Sequence, residues 1–326
     1  VTLETLARQL RESRGFAHKA DIAPLVHRLG LGAAAVIQVG DDCAAIPDGD
    51  GFLLLAIEGF LSSFVAADPH FAGYCGVMVN LSDIAAMGGR PIAVVDALWS
   101  RDEPAARPIL DGLAQAASVY GVPVVGGHSN TRSADEQLAV AVLGRAQRLL
   151  TSFDAKPGEI LLAAIDLRGR YREPHSYWDA SSAAASAGLG ARLRGDLDLL
   201  PLMAESGFCR AAKDISMAGV IGTALMLAET SRIGMTIDPA LIPRPTDAEL
   251  GRWLGCFPSF GFLLTAEPND VPAIIYTFAQ RDIACAAIGT CEPGTNLVLS
   301  TKGESATVWN LAEAPLIGCV SRGQSH

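Results

Sequence analysis

Apolar residues recur at helical spacing from the start of the chain. Leu3, Leu6 and Leu10 share one face of a segment over 2–14, and Gly15 follows as a stop. His18-Lys19-Ala20-Asp21 leads into a second helix over 21–29. Residues 52–57 form an unbroken apolar run of strand length, set off by the turn Pro47-Asp48-Gly49-Asp50-Gly51. The stretch 71–88 carries almost no charge on any face, which predicts a long buried helix. A strand at 91–98 follows, then a helix over 104–120 opened by Pro104 and closed by Gly121. Residues 122–125 read as a strand running into a turn at Gly126-Gly127, and 137–144 as another strand.

A turn-rich linker, Asp154-Ala155-Lys156-Pro157-Gly158, separates this half from a fresh strand at 159–165. Beyond it the pattern predicts helices near 179–194, 198–206, 218–231 and 270–281, with strands near 234–238, 259–266 and 283–288. Helices and strands mix without strict alternation, so the expected class is α+β in two domains. The expected division is an N-terminal helical segment over 1–30, a first domain over 31–152 and a second over 153–326.

Composition narrows the function. Half of the 326 residues are hydrophobic, and 18% are charged, with a mean hydropathy of +0.29. That is ample core for two domains. The formal charge is −10 and no Lys/Arg run occurs, which argues against nucleic acid as partner. Seven scattered cysteines without a C-x-x-C pair point to reduced thiols and a cytoplasmic protein. Residues 1–14 carry charges throughout, so no signal peptide is expected there. No apolar run approaches the roughly 18 residues of a membrane helix.

Candidate chemistry sits in four segments: Gly40-Asp41-Asp42-Cys43, Asn80-Leu81-Ser82-Asp83, Lys213-Asp214-Ile215-Ser216, and Gly126-Gly127-His128-Ser129. Asp83 lies in an apolar helix, where a carboxylate is costly unless it is paired, hydrogen-bonded or bound to a cation. Asn80, three residues earlier, shares its face. Magnesium takes oxygen ligands, commonly one or two carboxylates plus phosphate oxygens. Gly126-Gly127 would let backbone N–H groups approach a phosphate. Each segment also has a plainer reading. Asp83 could cap a loop, Gly40-Asp41-Asp42 could be a turn, and Asp214 or Ser216 could cap the helix near 218. No P-loop occurs, and Thr131 breaks a nucleophile-elbow pattern at Gly127-His128-Ser129.

The order of these segments resembles the superfamily of aminoimidazole ribonucleotide (AIR) synthetase, thiamine-monophosphate kinase, selenophosphate synthetase and the hydrogenase-maturation dehydratase. GDDCAAI and NLSDIAAMGGRP resemble the kinase's two aspartate motifs, VVGGHSN the glycine motif of selenophosphate synthetase, and KDISMAG the aspartate motif opening the C-terminal domain. The resemblance implies a two-domain AIR-synthase-like fold. Its N-terminal sheet would form a barrel with that of a second subunit in a homodimer, and its C-terminal domain would be α/β. It implies Mg2+ and ATP as cofactors, with Asp42, Asp83 and Asp214 as metal ligands and Asp41 and Glu58 as further candidates. Asn80, Gly126, Gly127, His128 and Ser129 would lie near the nucleotide.

Three departures separate the chain from its better-known relatives. Glu58 stands near the place of a strand aspartate, Met217 replaces a second aspartate after Asp-Ile-Ser, and His128 replaces one after Gly-Gly. Selenophosphate synthetase carries a catalytic cysteine and lysine in its N-terminal segment; Lys19 is present here without the cysteine. The expected function is γ-phosphate transfer from Mg-ATP to a small-molecule acceptor, with Asp42, Asp83 and Lys19 catalytic. The alternative is a nucleotide-binding regulatory or scaffold subunit without turnover. The polar and aromatic segment 171–179 is the candidate acceptor site, through Arg172, Tyr177 and Trp178.

Overall fold

The computed structural model describes residues 2–29, 39–182 and 188–319. The chain divides into two compact units, each discontinuous in sequence. One comprises Asp42–Leu149 and Ala184–Glu205; the other comprises Val1–Asp41, Leu150–Ala183 and Ser206–His326. The sequence-based division cut the chain once near 152 and set 1–30 apart. Both units instead take pieces from either side of that cut.

The chain opens with α1 (Leu3–Arg11), α2 (Arg14–Ala20) and α3 (Ile22–Leu29). Thr2 caps α1 by accepting the Thr5 N–H, and Ser13 caps α2 by accepting that of Phe16. Gly15 does not end a helix; it lies inside α2. A Cβ there would come within 2.6 Å of the Met217 carbonyl oxygen, so glycine lets α2 press onto that segment of the same unit.

The unit built on 42–149 carries β1 (Ala44–Asp48), β2 (Gly51–Phe60), α4 (Ser62–Ala67), α5 (Pro69–Ala86), β3 (Arg90–Trp99), α6 (Glu103–Tyr120), β4 (Val124–Asn130) and β5 (Gln137–Ala146). Its five-stranded sheet runs β1-β2-β5-β3-β4, antiparallel except for the parallel β3–β4 pair. Strand β4 runs through Gly126 and Gly127, where a turn was expected. Among the described residues β1 and β4 are the edge strands of this sheet, and no closed barrel forms. Strand alternation puts Leu54, Ala56, Val140, Val142 and Val94 on the buried face. Helix α5 is apolar all round because nearly every residue of it is buried.

Two further helices, α7 (Leu189–Leu197) and α8 (Leu199–Ser206), belong to this unit. Arg90 grips Glu205 through both terminal guanidinium nitrogens, and the Arg194 guanidinium donates to the Val119 carbonyl at 2.7 Å. The helix expected over 179–194 is not one element: Asp179 ends a short strand, and α7 starts only at Leu189.

The other unit carries β6 (Ile160–Ile165), β7 (Arg170–Tyr171), β8 (Tyr177–Asp179), β9 (Ala211–Asp214), α9 (Gly219–Ser231), β10 (Gly234–Ile237), α10 (Leu250–Leu254), β11 (Phe257–Pro258), β12 (Gly261–Ala266), α11 (Val271–Ala279), β13 (Ala284–Glu292), β14 (Asn296–Thr301) and β15 (Glu304–Asn310). A seven-stranded sheet runs β15-β14-β10-β13-β6-β12-β9, and β11-β8-β7 form a small separate one. Helix α1 covers the edge strand β15: Arg11 donates to the Thr307 carbonyl at 2.8 Å, and Glu304 accepts the Leu3 N–H at 2.7 Å. Among the described residues no helix is long and apolar enough to cross a membrane.

Candidate metal and nucleotide site

Asp83 sits on α5 and is 6% exposed; Asp42 lies in the turn before β1 and is half-buried. Each offers a carboxylate oxygen, and these oxygens lie within 4.8 Å of one another. Two like charges this close, one of them buried, gain strongly from a cation between them. Two ligands of one magnesium can stand up to about 4.2 Å apart, twice its usual bond of about 2.1 Å. The donor chemistry, carboxylate oxygen on both sides, fits such a hard cation.

Asp214 ends β9 in the other unit, 7% exposed and opposite Phe262 of β12. Its neighbour Lys213 is also buried, and its ammonium lies 4.0 Å from an Asp41 carboxylate oxygen. The other Asp41 oxygen accepts the Ser152 N–H at 2.7 Å. The two halves of the Asp41-Asp42 doublet therefore have different surroundings.

Asn80 is fully buried. Its amide donates to the Gly76 carbonyl at 2.7 Å and to the Val140 carbonyl at 3.0 Å, which pins α5 to β5. Its Oδ1 has no hydrogen-bond partner among the described residues. Glu58 is half-buried on β2 opposite Val140. Gly126, Gly127, His128 and Ser129 are all exposed on the edge strand β4, and the His128 ring stands 6.2 Å from that of Trp99. Lys19 is half-buried on α2, the helix that Gly15 brings against Met217 and Ala218.

Within 171–179, Glu173 to Ser176 form an exposed polar turn, whereas Tyr177, Trp178 and Asp179 are buried. Trp178 is 7% exposed and Tyr177 2%. The Trp178 indole donates to the Asp166 carbonyl at 3.0 Å, and the Tyr177 ring packs edge-on against Phe257 at 4.6 Å. Arg252 stacks on the Tyr171 ring at 3.7 Å, and burial pushes the Tyr171 hydroxyl up to about 12. These aromatics are packing residues. Arg172 lies 3.5 Å from the Asp179 carboxylate.

One acidic group escaped the sequence analysis. Asp96 is the single charge within the run Ile92 to Trp99 of β3, and one of its oxygens is buried with no hydrogen-bond partner among the described residues. A Cβ on Gly127 would fall 2.3 Å from the other oxygen, so glycine on β4 makes room for this carboxylate. Burial raises the Asp96 carboxyl above the ordinary range. A carboxyl raised in the folded state disfavours folding once it is ionised. Its penalty is absent below the unfolded pKa of about 3.9 and complete once pH exceeds the folded value. Asp96→Asn is therefore expected to stabilise the protein at pH 7, by no more than about 1 kcal/mol because the group keeps solvent contact. Urea unfolding at pH 7 and about pH 3 checks this; an equal gain at both would contradict the cause assigned.

Two family models match the chain: AIR synthase related protein, N-terminal domain, over residues 40–146, and AIR synthase related protein, C-terminal domain, over 178–302. An uncharacterized protein of Synechocystis sp. is 46% identical over 97% of this chain and 98% of its own length. Thiamine-monophosphate kinase of Pyrococcus horikoshii is 33% identical over 40% of this chain and 43% of its own. Among solved structures, T. maritima PurL complexed with ADP superposes with a TM-score of 0.74 at 16% identity, covering 93% of this chain and 52% of that one. The chain thus spans about half of PurL, and at that identity the likeness is one of fold.

Proposed function

The chain belongs to the AIR synthase related family, and we propose that it is an enzyme that binds Mg-ATP and passes the γ-phosphate to a small-molecule acceptor. The observation that carries this reading is the pair Asp42 and Asp83, whose oxygens come within 4.8 Å of one another, with Asp83 buried on an apolar helix. A kinase and an ADP-binding synthase among the similar proteins support nucleotide use.

In this reading Asp42, Asp83 and Asp214 hold magnesium, and Glu58 is a further acidic group in the same unit as the first two. A cation held by these carboxylates would supply positive charge to offset the charge that develops on the phosphates during transfer. Lys19 supplies a mobile positive charge to the phosphates. The exposed backbone of Gly126 and Gly127, with His128 and Ser129 beside it, borders the nucleotide. Arg172 remains the candidate for holding the acceptor; Tyr177 and Trp178 support it from the core. The γ-phosphoryl group passes to an acceptor oxygen and ADP leaves.

A second reading rests on His128 and Met217, which stand where the kinase motifs carry carboxylates. It makes the chain a nucleotide-binding subunit without turnover. Incubation with γ-labelled ATP and a panel of phosphate esters, carboxylates and amides separates the two. Label moving to an acceptor, or to water in its presence, supports the enzyme. Binding of ATP with no loss of label under any condition supports the subunit.

We also place a homodimer in this reading. The sheet face turned away from α5 exposes Ile46, Leu55, Ile57, Val95 and Leu143, with Ile57 69% and Leu55 47% exposed. A contiguous apolar patch of this kind on a soluble chain marks an interaction surface. A second copy meeting it would close the two sheets on each other, as the barrel expectation requires. Light scattering should give a dimer for the wild type and a monomer for Ile57→Asp. A monomeric wild type at micromolar concentration would remove the dimer.

A further inference from the structure

A cleft of about 570 Å³ opens beside the edge strand β15, within one compact unit. Arg11 of α1, Asn296 at the start of β14, Trp309 and Asn310 of β15, and Glu313 just beyond it line the cleft. Its volume falls in the range of about 300–1,000 Å³ usual for small-molecule sites. It shares no residue with the proposed magnesium and nucleotide site.

The charged and aromatic groups of the cleft are anchored by the protein itself. The register of β14 with β15 shifts so that Val308 has no partner, a bulge of the kind that re-aims side chains. Arg11 fastens on this bulge. One of its terminal nitrogens donates to the Thr307 carbonyl at 2.8 Å and to the Val308 carbonyl at 3.4 Å. The Trp309 indole donates to the Ala314 carbonyl at 2.8 Å. The Asn310 amide donates to one Glu313 carboxylate oxygen at 2.8 Å, and the other has no partner among the described residues. Arg11 meets Glu4 at 3.5 Å, but the Glu4 side chain is 72% exposed, so water screens that pair. Arg11 and Glu313 do not pair with each other among the described residues. One cleft therefore holds a cation, a carboxylate and an indole, each fixed in place, with its two charges unspent on one another.

We infer that this cleft is a binding site for a small zwitterion of the free amino-acid class. A lone anion would be repelled by Glu313 and a lone cation by Arg11, whereas a ligand carrying both charges is matched by both. Arg11 takes the ligand's carboxylate through a charge-assisted hydrogen bond, and Glu313 takes its ammonium. Trp309 adds a ring face that suits an ammonium or an apolar side chain. Because the receiving groups are held in advance, binding costs little side-chain ordering.

The test measures the thermal unfolding midpoint of the full chain, without nucleotide or magnesium, against the standard L-amino acids added one at a time at millimolar concentration. The outcome is thereby independent of the Mg-ATP reading. A ligand that binds the folded chain raises the midpoint by mass action. At least one amino acid should raise it by about 2 °C or more. Its N-acetyl and its C-terminal amide derivatives, each lacking one charge, should give no shift. Glu313→Gln should abolish the shift as well. Glu313 is exposed in the turn after β15, and glutamine keeps an oxygen for the Asn310 amide, so the variant should fold. No shift with any amino acid would overturn the inference. So would a shift that survives either blocking group or the Glu313→Gln change, since the ligand would then bind through one charge or at another place.

Discussion

Asp83→Asn is expected to lower the Mg-dependent affinity for an ATP analogue about 100-fold or more, while metal-free binding changes little. Two unit charges about 4 Å apart interact by about 4 kcal/mol in surroundings of effective dielectric near 20. A tenfold change in affinity needs about 1.4 kcal/mol, so loss of one anionic ligand comfortably exceeds 100-fold. Asparagine matches the shape of aspartate and keeps one oxygen, so the fold should persist, with an unfolding midpoint within about 4 °C of wild type. Calorimetric titration with and without magnesium checks the first part and a thermal melt the second. An affinity within threefold of wild type, on a folded variant, would place the metal elsewhere.

Glu229→Ala should be the most destabilising single change of those considered. Glu229 lies in the last turn of α9 and is 3% exposed. Its carboxylate accepts three successive backbone N–H groups, from Leu316 and Ile317 at 2.9 Å and from Gly318 at 2.8 Å. Runs of successive N–H groups make concave anion sites, here filled by the protein's own side chain. Hydrogen bonds to a charged group contribute about 1.5–3 kcal/mol each, though not additively. Removing the acceptor also strands buried donors. The expected loss is about 3–5 kcal/mol, with faster amide exchange confined at first to 316–318. Glu229→Gln, which keeps one acceptor oxygen, should fall between. Denaturant unfolding and hydrogen exchange give both numbers. A loss under about 1 kcal/mol for the alanine variant would mean that burial of Leu316 and Ile317 alone holds the segment.

Elements with their own local signals were legible in the sequence. Helix α6 announces itself through Pro104 and Gly121, and the structure adds Asp102, which caps it by accepting the Ala105 N–H at 2.9 Å, while Gly121 takes a φ of 68°. Helix α5 was legible because eighteen residues without a salt-bridging face can only be buried. What depends on partners was not legible. Strand β4 continues through Gly126 and Gly127 because β3 pairs with it, and no local pattern reports that pairing. The hairpin β14–β15 and the tail at 316–319 look like loop and terminus until α1 and Glu229 cover them. The piece 184–205 joins the N-terminal unit through Arg90 and Arg194, contacts far apart in sequence.

The candidate site divides the same way. Asp83 could be found from sequence because its burial carries a cost that needs a reason. The Asp41-Asp42 doublet could not be resolved, since its two residues are chemically identical in the sequence, while in the structure Asp41 faces Lys213 and accepts the Ser152 N–H. Trp178 and Tyr177 read as a ligand surface in the sequence because polar neighbours surround them, whereas their rings pack inward. Asp96 offered one signal, a lone charge within an apolar strand, that a search for shared motifs passes over.

The most direct test is a calorimetric titration of the wild-type protein with a non-hydrolysable ATP analogue, in magnesium and in chelator. The account predicts saturable binding in magnesium that weakens at least tenfold without it. Absence of binding, or binding indifferent to magnesium, would contradict a metal-dependent nucleotide site built on Asp42 and Asp83.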